Sequence, residues 1–518
     1  MKKTADSKIK YEMYDVINFE ASPLITWLDR KKLEGEKLPE KDSLEPFQLL
    51  TAKQNKTLQN RFMRKQVENG KNFIKIDKKD PDSVKKTFQA IITGIDLIEN
   101  ACFSTDIFED SCNIIIKEPG HSIFGDYQYV PVFINANKKS YDITKEDKKS
   151  NLIKYSYWLK LLEDVQESIP CKFMVILGNG EIVDIGLNSM DFSLFEATLE
   201  LLQSQQENFS NMVLEFEDFT NYGHWNTYVT GELQKNDSVT LLYNIRGNRV
   251  KEIKEYYECP NILRFAEKNF DDLEIKKKDL KTMRNLYNHA VVYAYAKQND
   301  QQMAFSVIQE DITIPERSLG DVFVDVETLR LFGNNFVFLM GAITEKDEEF
   351  HEWWAYSAEE EERLGKEFLK WLKERKEQYP EMKIYHYGSI EATHLKRLNE
   401  LVKVFDKDAF NTRSPECLLI NLESVVKNHL LMSKQSYSLK DIETLYMEFD
   451  RQMDIKEGDN ASLAFFEWLM KKEDREENSA ELGALRDYNQ FDCYSILKLR
   501  EWLQSGKYLS SNYRMMSR

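Results

Sequence analysis

One short apolar run constrains this chain more than any other feature. Val322-Phe-Val-Asp-Val-Glu sets two carboxylates, Asp325 and Glu327, inside a stretch that otherwise reads as a buried strand. Residues two apart on a strand project from the same face, and a pair of carboxylates is costly to bury unless a cation offsets its charge. A spaced acid pair alone is a weak signal in a chain with 88 Asp and Glu residues. Two further segments strengthen it. An apolar strand runs into Tyr385-His-Tyr-Gly, and Glu391 then opens a helix, so its carboxylate sits at a helix N-terminus beside strand ends. The segment LRDYNQFDCYSILKLREWL carries Tyr488 and Asp492 four apart, on one helical face. His386 and His394, near Glu391, read as polar packing residues.

Carboxylates at strand ends and on a helix packed over them suit phosphodiester hydrolysis by two cations about 3.5–4 Å apart, one activating water and one stabilising the leaving oxygen. Mg²⁺ prefers oxygen ligands and keeps some water. In this reading Asp325, Glu327, Glu391 and Asp492 hold two ions, Mg²⁺ or Mn²⁺, and Tyr488 orients the attacking water. The reading requires the acids to share one pocket that no basic side chain plugs.

At 518 residues the chain exceeds one hydrophobic core. With 42% hydrophobic and 31% charged residues it is expected to be globular. A formal charge of -17 argues against coating nucleic acid by charge alone, but an acidic metal site escapes that objection because its cations restore attraction for phosphate. Six scattered cysteines without a CxxC pair, no apolar signal segment and no membrane-length run lead to the expectation of a cytoplasmic protein without a membrane partner.

The fold class expected is α/β. From Phe19 to about Leu187, helices at Pro46–Gln66, Asp82–Glu99 and Leu152–Gln166 alternate with strands at Asn113–Ile116, Tyr129–Ile134 and Phe173–Leu177. Residues 189–311 read as a mainly helical connector with a hairpin-like stretch near Val239–Tyr243. After Ile312 come adjacent strands at Val322 and Phe336, a helix at Glu359–Glu377, a strand at Lys383–Tyr387, and then helix to about Gln504. Domains are therefore expected at 1–188, 189–311 and 312–518.

The stretch from Phe323 to Leu503 resembles the ribonuclease-H-like domain of the YprB type, a branch of the DEDD exonucleases with a Tyr in the last motif. FVDVET, FLMGA, HEWWAYSAEEE, YHYGSIE, SYSLKDIETLY and YNQFDCYSILKLREWL carry the resemblance. It implies Asp325, Glu327, Glu391 and Asp492 as ligands and Tyr488 as the water-orienting group. Two departures stand out: Glu391 replaces the more general Asp, and Asn421 stands where related sequences often have Asp. The N-terminal region more faintly resembles a RecB-like PD-(D/E)xK nuclease domain, through ASPLITWL, TGIDLIENACF, GDYQYVPVFIN and NLIKYSYWLKLLEDVQ. That family's acids, lysine and glutamine would fall on Asn113, Phe133, Asn135 and Asn151, so its metal site is expected to be dead. Such families often close this domain with an iron–sulfur or zinc site. Here Cys259 is alone in its segment, and no cluster is expected.

The function expected from these features is 3′–5′ exonucleolytic hydrolysis of DNA or RNA at a single-stranded end, with an inactive N-terminal nuclease-like domain docking substrate or a partner. With no GxxxxGK[ST] phosphate loop in the chain, a separate helicase is an expected partner by analogy. The alternative is a catalytically weak or dead nucleic-acid-binding or assembly protein.

Overall fold

The computed structural model describes residues 1–4, 8–146, 148–211, 214, 222–448, 451, 455, 458–471 and 479–509. The chain divides into two units, residues 1–232 with 331–334, and residues 233–330 with 335–518. Residues 189–311 are shared between them.

In unit 1, runs of branched and aromatic residues build strands β1 (Phe73–Lys75), β2 (Leu97–Ser104), β3 (Glu109–Ser122), β4 (Gly125–Asn135), β5 (Lys172–Leu177) and β6 (Ile182–Gly186). They form one sheet in sequential order. The pairs β1/β2 and β4/β5 are parallel, and the others antiparallel. Its helices are α1 (Met13–Ala21), α2 (Pro23–Leu33), α3 (Pro46–Glu68), α4 (Ser83–Ile92), α5 (Lys149–Gln166) and α6 (Ser193–Glu207). Because side chains alternate along a strand, Ile114, Ile116, Val130 and Val132 pack with Phe62 and Met63 of α3. Ile115, Phe133, Phe173 and Val175 face the opposite way, into a core with Val16 of α1, Tyr155 and Leu162 of α5, and Phe195 of α6. The expected helix at Asp82–Glu99 is too long: α4 stops at Ile92, Gly94 follows at φ +69°, and Leu97–Glu99 enter β2. The run Leu97-Ile-Glu-Asn-Ala-Cys-Phe is buried between two helical layers, so tertiary packing selects strand there.

Unit 2 contains α7 (Leu280–Gln298) and strands β7 (Phe305–Val307), β8 (Val322–Leu331), β9 (Asn334–Thr344), β10 (Phe350–Trp354), β11 (Ile384–His386), β12 (Leu419–Asn421) and β13 (Leu430–Met432). Five strands form a sheet in the order β10-β9-β8-β11-β12. A two-residue turn joins β8 to β9, with both Phe332 and Gly333 at positive φ. The pairs β8/β11 and β11/β12 are parallel, whereas β7 and β13 form a separate antiparallel pair. Helices α8 (Glu361–Gln378) and α9 (Ile390–Val402) cover Val322, Val324 and Val326 on one face. On the other, Phe323 and Tyr385 join the core of α10 (Leu422–His429) and α13 (Ala480–Gln504). Between these last two lie α11 (Leu439–Glu443) and α12 (Gly458–Met470).

Two expectations are corrected. Val239–Leu241 is a 3₁₀ turn capped by Ser238 rather than a hairpin. The segment read as helical to Gln504 includes the short strands β12 and β13, whose few residues are too short for a period-two pattern to register.

Arg500 of α13 is wholly buried. Its guanidinium pairs with Glu345 just beyond β9 and lies 5.1 and 5.5 Å from the ring centroids of Phe323 and Tyr385. Those rings stack at 5.2 Å across β8 and β11. Breaking a buried pair from one side leaves an uncompensated charge. Arg500→Met is therefore expected to cost about 3 kcal/mol of stability, read as a lower urea midpoint; an unchanged midpoint would show that Arg317, which also pairs with Glu345, carries the interaction alone.

Candidate metal centre

Strand β8 lies at the centre of its sheet with both faces covered, so the residues that alternate with its valines must point into protein. Phe323, Asp325 and Glu327 share the face toward α13. One helical turn of α13 presents Tyr488, Asn489 and Asp492 to that face, all at most 6% exposed. Asp325, Glu327 and Asp492 each offer a carboxylate oxygen, and these atoms lie within 4.8 Å of one another. Glu391 lies outside that group. It sits in the first turn of α9, 5% exposed, with Oε2 lacking a hydrogen-bond partner and 3.6 Å from Nδ1 of the buried His386. Its charge still reaches Asp325 and Glu327. His394, on the same helix, contacts Arg397.

The electrostatics follow from burial. Removal from water, then repulsion from Asp492 and Glu391, holds the Asp325 carboxyl well above the ordinary carboxylate range. Glu327 is raised in the same way by burial and then by Asp325 and Asp492. Burial also raises Asp492, although Arg451 opposes it. The Tyr488 phenol is raised by burial and by all three carboxylates. Such a group must hold protons or a cation. The orphaned Glu391 oxygen and the all-oxygen donor set fit a divalent cation of the Mg²⁺ or Mn²⁺ kind.

Several contributors carry no legible signature. Asn489 donates from Nδ2 to Asp325 Oδ2 at 2.7 Å and fixes that carboxylate. This approach depends on Gly341 of β9, because a Cβ there would lie 1.7 Å from Asn489 Oδ1. Arg451 pairs with Asp492 and Glu443, and Ser495 donates to Glu443 at 2.7 Å. Lys440 Nζ lies 5.5 Å from the Tyr488 ring centroid, and its charge favours the ionised forms of Glu327 and Asp492. Asn489 adjoins Tyr488, and Lys440 and Glu443 lie within SYSLKDIETLY, so proximity to a motif was the available signal for these three. For Arg451 there was none.

Asn421 does a job that an aspartate could not fully perform. Its Oδ1 accepts from Glu423 N at 2.9 Å and Ser424 N at 3.3 Å, capping α10, while Nδ2 donates to Gly388 O at 2.8 Å. A carboxylate lacks that donor. Asn421 thus ties β12 to the turn that leads into Glu391.

In unit 1, Asn113 and Phe133 line one cavity. Phe133 packs 4.7 Å from Tyr155 and 5.5 Å from Phe173, centroid to centroid. Asn151 donates to Glu146 at 3.0 Å, and Asn113 is exposed. The Cys259 thiol is buried and donates to Tyr257 O at 3.2 Å.

Residues 322–504, roughly a third of the chain, match the family model of the RNase_H superfamily. No curated protein and no solved structure matches the chain. The C-terminal region is a ribonuclease-H-like domain, a class that points to nuclease-type hydrolysis of nucleic acid and to divalent metals. Among the described residues, no helix is long and apolar enough to cross a membrane.

The raised carboxylates bind more protons folded than unfolded. Without metal, stability therefore falls as pH rises from the unfolded carboxylate range, about 4, through the higher folded values. Asp325→Asn should flatten that slope and stabilise the EDTA-treated protein at pH 7 by about 1–2 kcal/mol. Mn²⁺ should raise the melting temperature of the wild type but not of the variant. Identical pH profiles in EDTA would contradict the buried repulsion.

Proposed function

We propose that unit 2 hydrolyses phosphodiester bonds from the 3′ end of single-stranded DNA or RNA, with two divalent cations, Mg²⁺ or Mn²⁺, held by Asp325, Glu327, Glu391 and Asp492. The convergence of Asp325, Glu327 and Asp492 from a strand and a helix more than 160 positions apart carries this reading. When bound, the cations supply an activated water and a counter-charge for the leaving oxygen. Asp325, Glu327 and Asp492 position that charge, and Asn489 keeps Asp325 aimed. Tyr488, with a phenol that stays protonated, orients the attacking water by hydrogen bonding. Glu391, on its own helix, completes the ligand set from the opposite side of the sheet end. Unit 1 we take as a nuclease-like domain of the RecB type that has lost its metal site and serves docking. Strand separation, where a substrate needs it, falls to a separate helicase.

The double variant Asp325→Ala/Glu327→Ala should lose Mn²⁺-dependent degradation of a 3′-labelled single strand by at least about 10³-fold; degradation at the wild-type rate would end the assignment. Gly341→Ala, which displaces Asn489 and so loosens Asp325, should lower the rate by roughly 10–100-fold while leaving the far-ultraviolet spectrum intact.

One observation favours a second reading, a non-catalytic binding or assembly protein: Arg451 already neutralises Asp492. The two readings separate in titration calorimetry with Mn²⁺. Metal uptake accompanied by strand degradation supports hydrolysis. If uptake appears only in Arg451→Ala and no degradation follows, the second reading stands.

A further inference from the structure

Unit 1 contains a cavity of about 560 Å³ enclosed by the start of α1, by α3, by strands β3 and β4, and by α5, within the size range of small-ligand sites. Its chemistry is the reverse of a metal site. Phe133, at the position where the resemblance would place an acid, lies in the cavity wall, and Lys154 of α5 reaches across it. The Lys154 ammonium lies 5.4 Å from the Phe133 ring centroid and 5.3 Å from that of Tyr155. Among the described residues no carboxylate lies within ion-pair reach of it, and the charge of Glu146 acts on it from further off. The side chain is surrounded by protein yet keeps surface toward the cavity, and burial pushes its pKa down to about 8. A cation held this way gains little from aromatic faces alone; it costs stability unless an anion arrives. Lys78, also on the cavity, acts on Asp110, whose ionised form its charge favours.

The opposite end differs. Asp110 accepts from the backbone N–H groups of Met13 at 2.8 Å and Ser111 at 2.6 Å, and Glu12 stands beside it. Lys56, by contrast, is spoken for: it joins Gln59 and Lys75 on one oxygen of Glu99. Lys154 therefore stands at the α5 side of the cavity and the acceptors Asp110 and Glu12 at the α1 side.

We propose that this cavity binds a nucleoside 5′-monophosphate unit, with its phosphate on Lys154 and the amino edge of its base toward Asp110 and Glu12. The unit can be a free mononucleotide or one residue of a single strand. Because the site lies within unit 1, it stands whether or not unit 2 hydrolyses anything.

The test uses full-length Asp325→Ala/Glu327→Ala protein, so that turnover in unit 2 plays no part. Calorimetry with AMP, with inorganic phosphate and with a deoxyadenylate decamer should show saturable binding of AMP, the decamer or both. Lys154→Met, which keeps the apolar stem over Phe133, should weaken that binding at least 10-fold. AMP binding identifies a free mononucleotide site, whereas decamer binding without AMP binding identifies a strand site. The proposal is overturned if no ligand binds, if Lys154→Met binds as well as its parent, or if inorganic phosphate binds as tightly as AMP.

Discussion

Like charges buried together organise the second unit. Asp325 and Glu327 share a face because β8 alternates, and Asp492 meets them because α13 crosses that face. Nothing in the local backbone favours this meeting; burial opposes it, and each carboxylate raises the proton affinity of the others. The surrounding structure holds the group by specific attachments. Asn489 grips Asp325, the cleared space at Gly341 admits Asn489, and Arg451 with Glu443 steadies Asp492. A fold that concentrates unfavourable charge in this way is poised for a cation, which relieves in one step what several hydrogen bonds only contain.

The same sheet logic has a different outcome in unit 1. There a central strand carries Phe133, whose ring joins Tyr155 and Phe173 in an aromatic core. Lys154 stands over the Phe133 and Tyr155 rings, with the charge of Glu146 acting on it from beyond ion-pair reach. One chain thus holds two α/β scaffolds with differently charged pockets, all-carboxylate in unit 2 and mixed in unit 1.

Much of this was legible from residue order, for identifiable reasons. The strand at Val322–Leu331 stands out because acids interrupt an apolar run, and α13 because its apolar spacing continues over 25 residues. Short elements were not legible: β12 and β13 span three residues each, and Leu97–Ser104 lacks the alternation of a half-exposed strand because both of its faces are buried. Asn421 looked like a missing carboxylate. Its actual work, bonding Gly388 and capping α10, depends on two segments that approach only in three dimensions.

By itself the sequence determined which carboxylates exist, that Asp325 and Glu327 share a face, and that Tyr488 and Asp492 share another, since these follow from the two-residue and 3.6-residue repeats of local backbone. Only tertiary structure decided that the two faces meet, that Glu391 stands apart from the tight group, that Arg451 reaches Asp492, and that Lys154 lines a cavity. Distances between segments far apart in the chain are set by how layers pack, and no local periodicity encodes them.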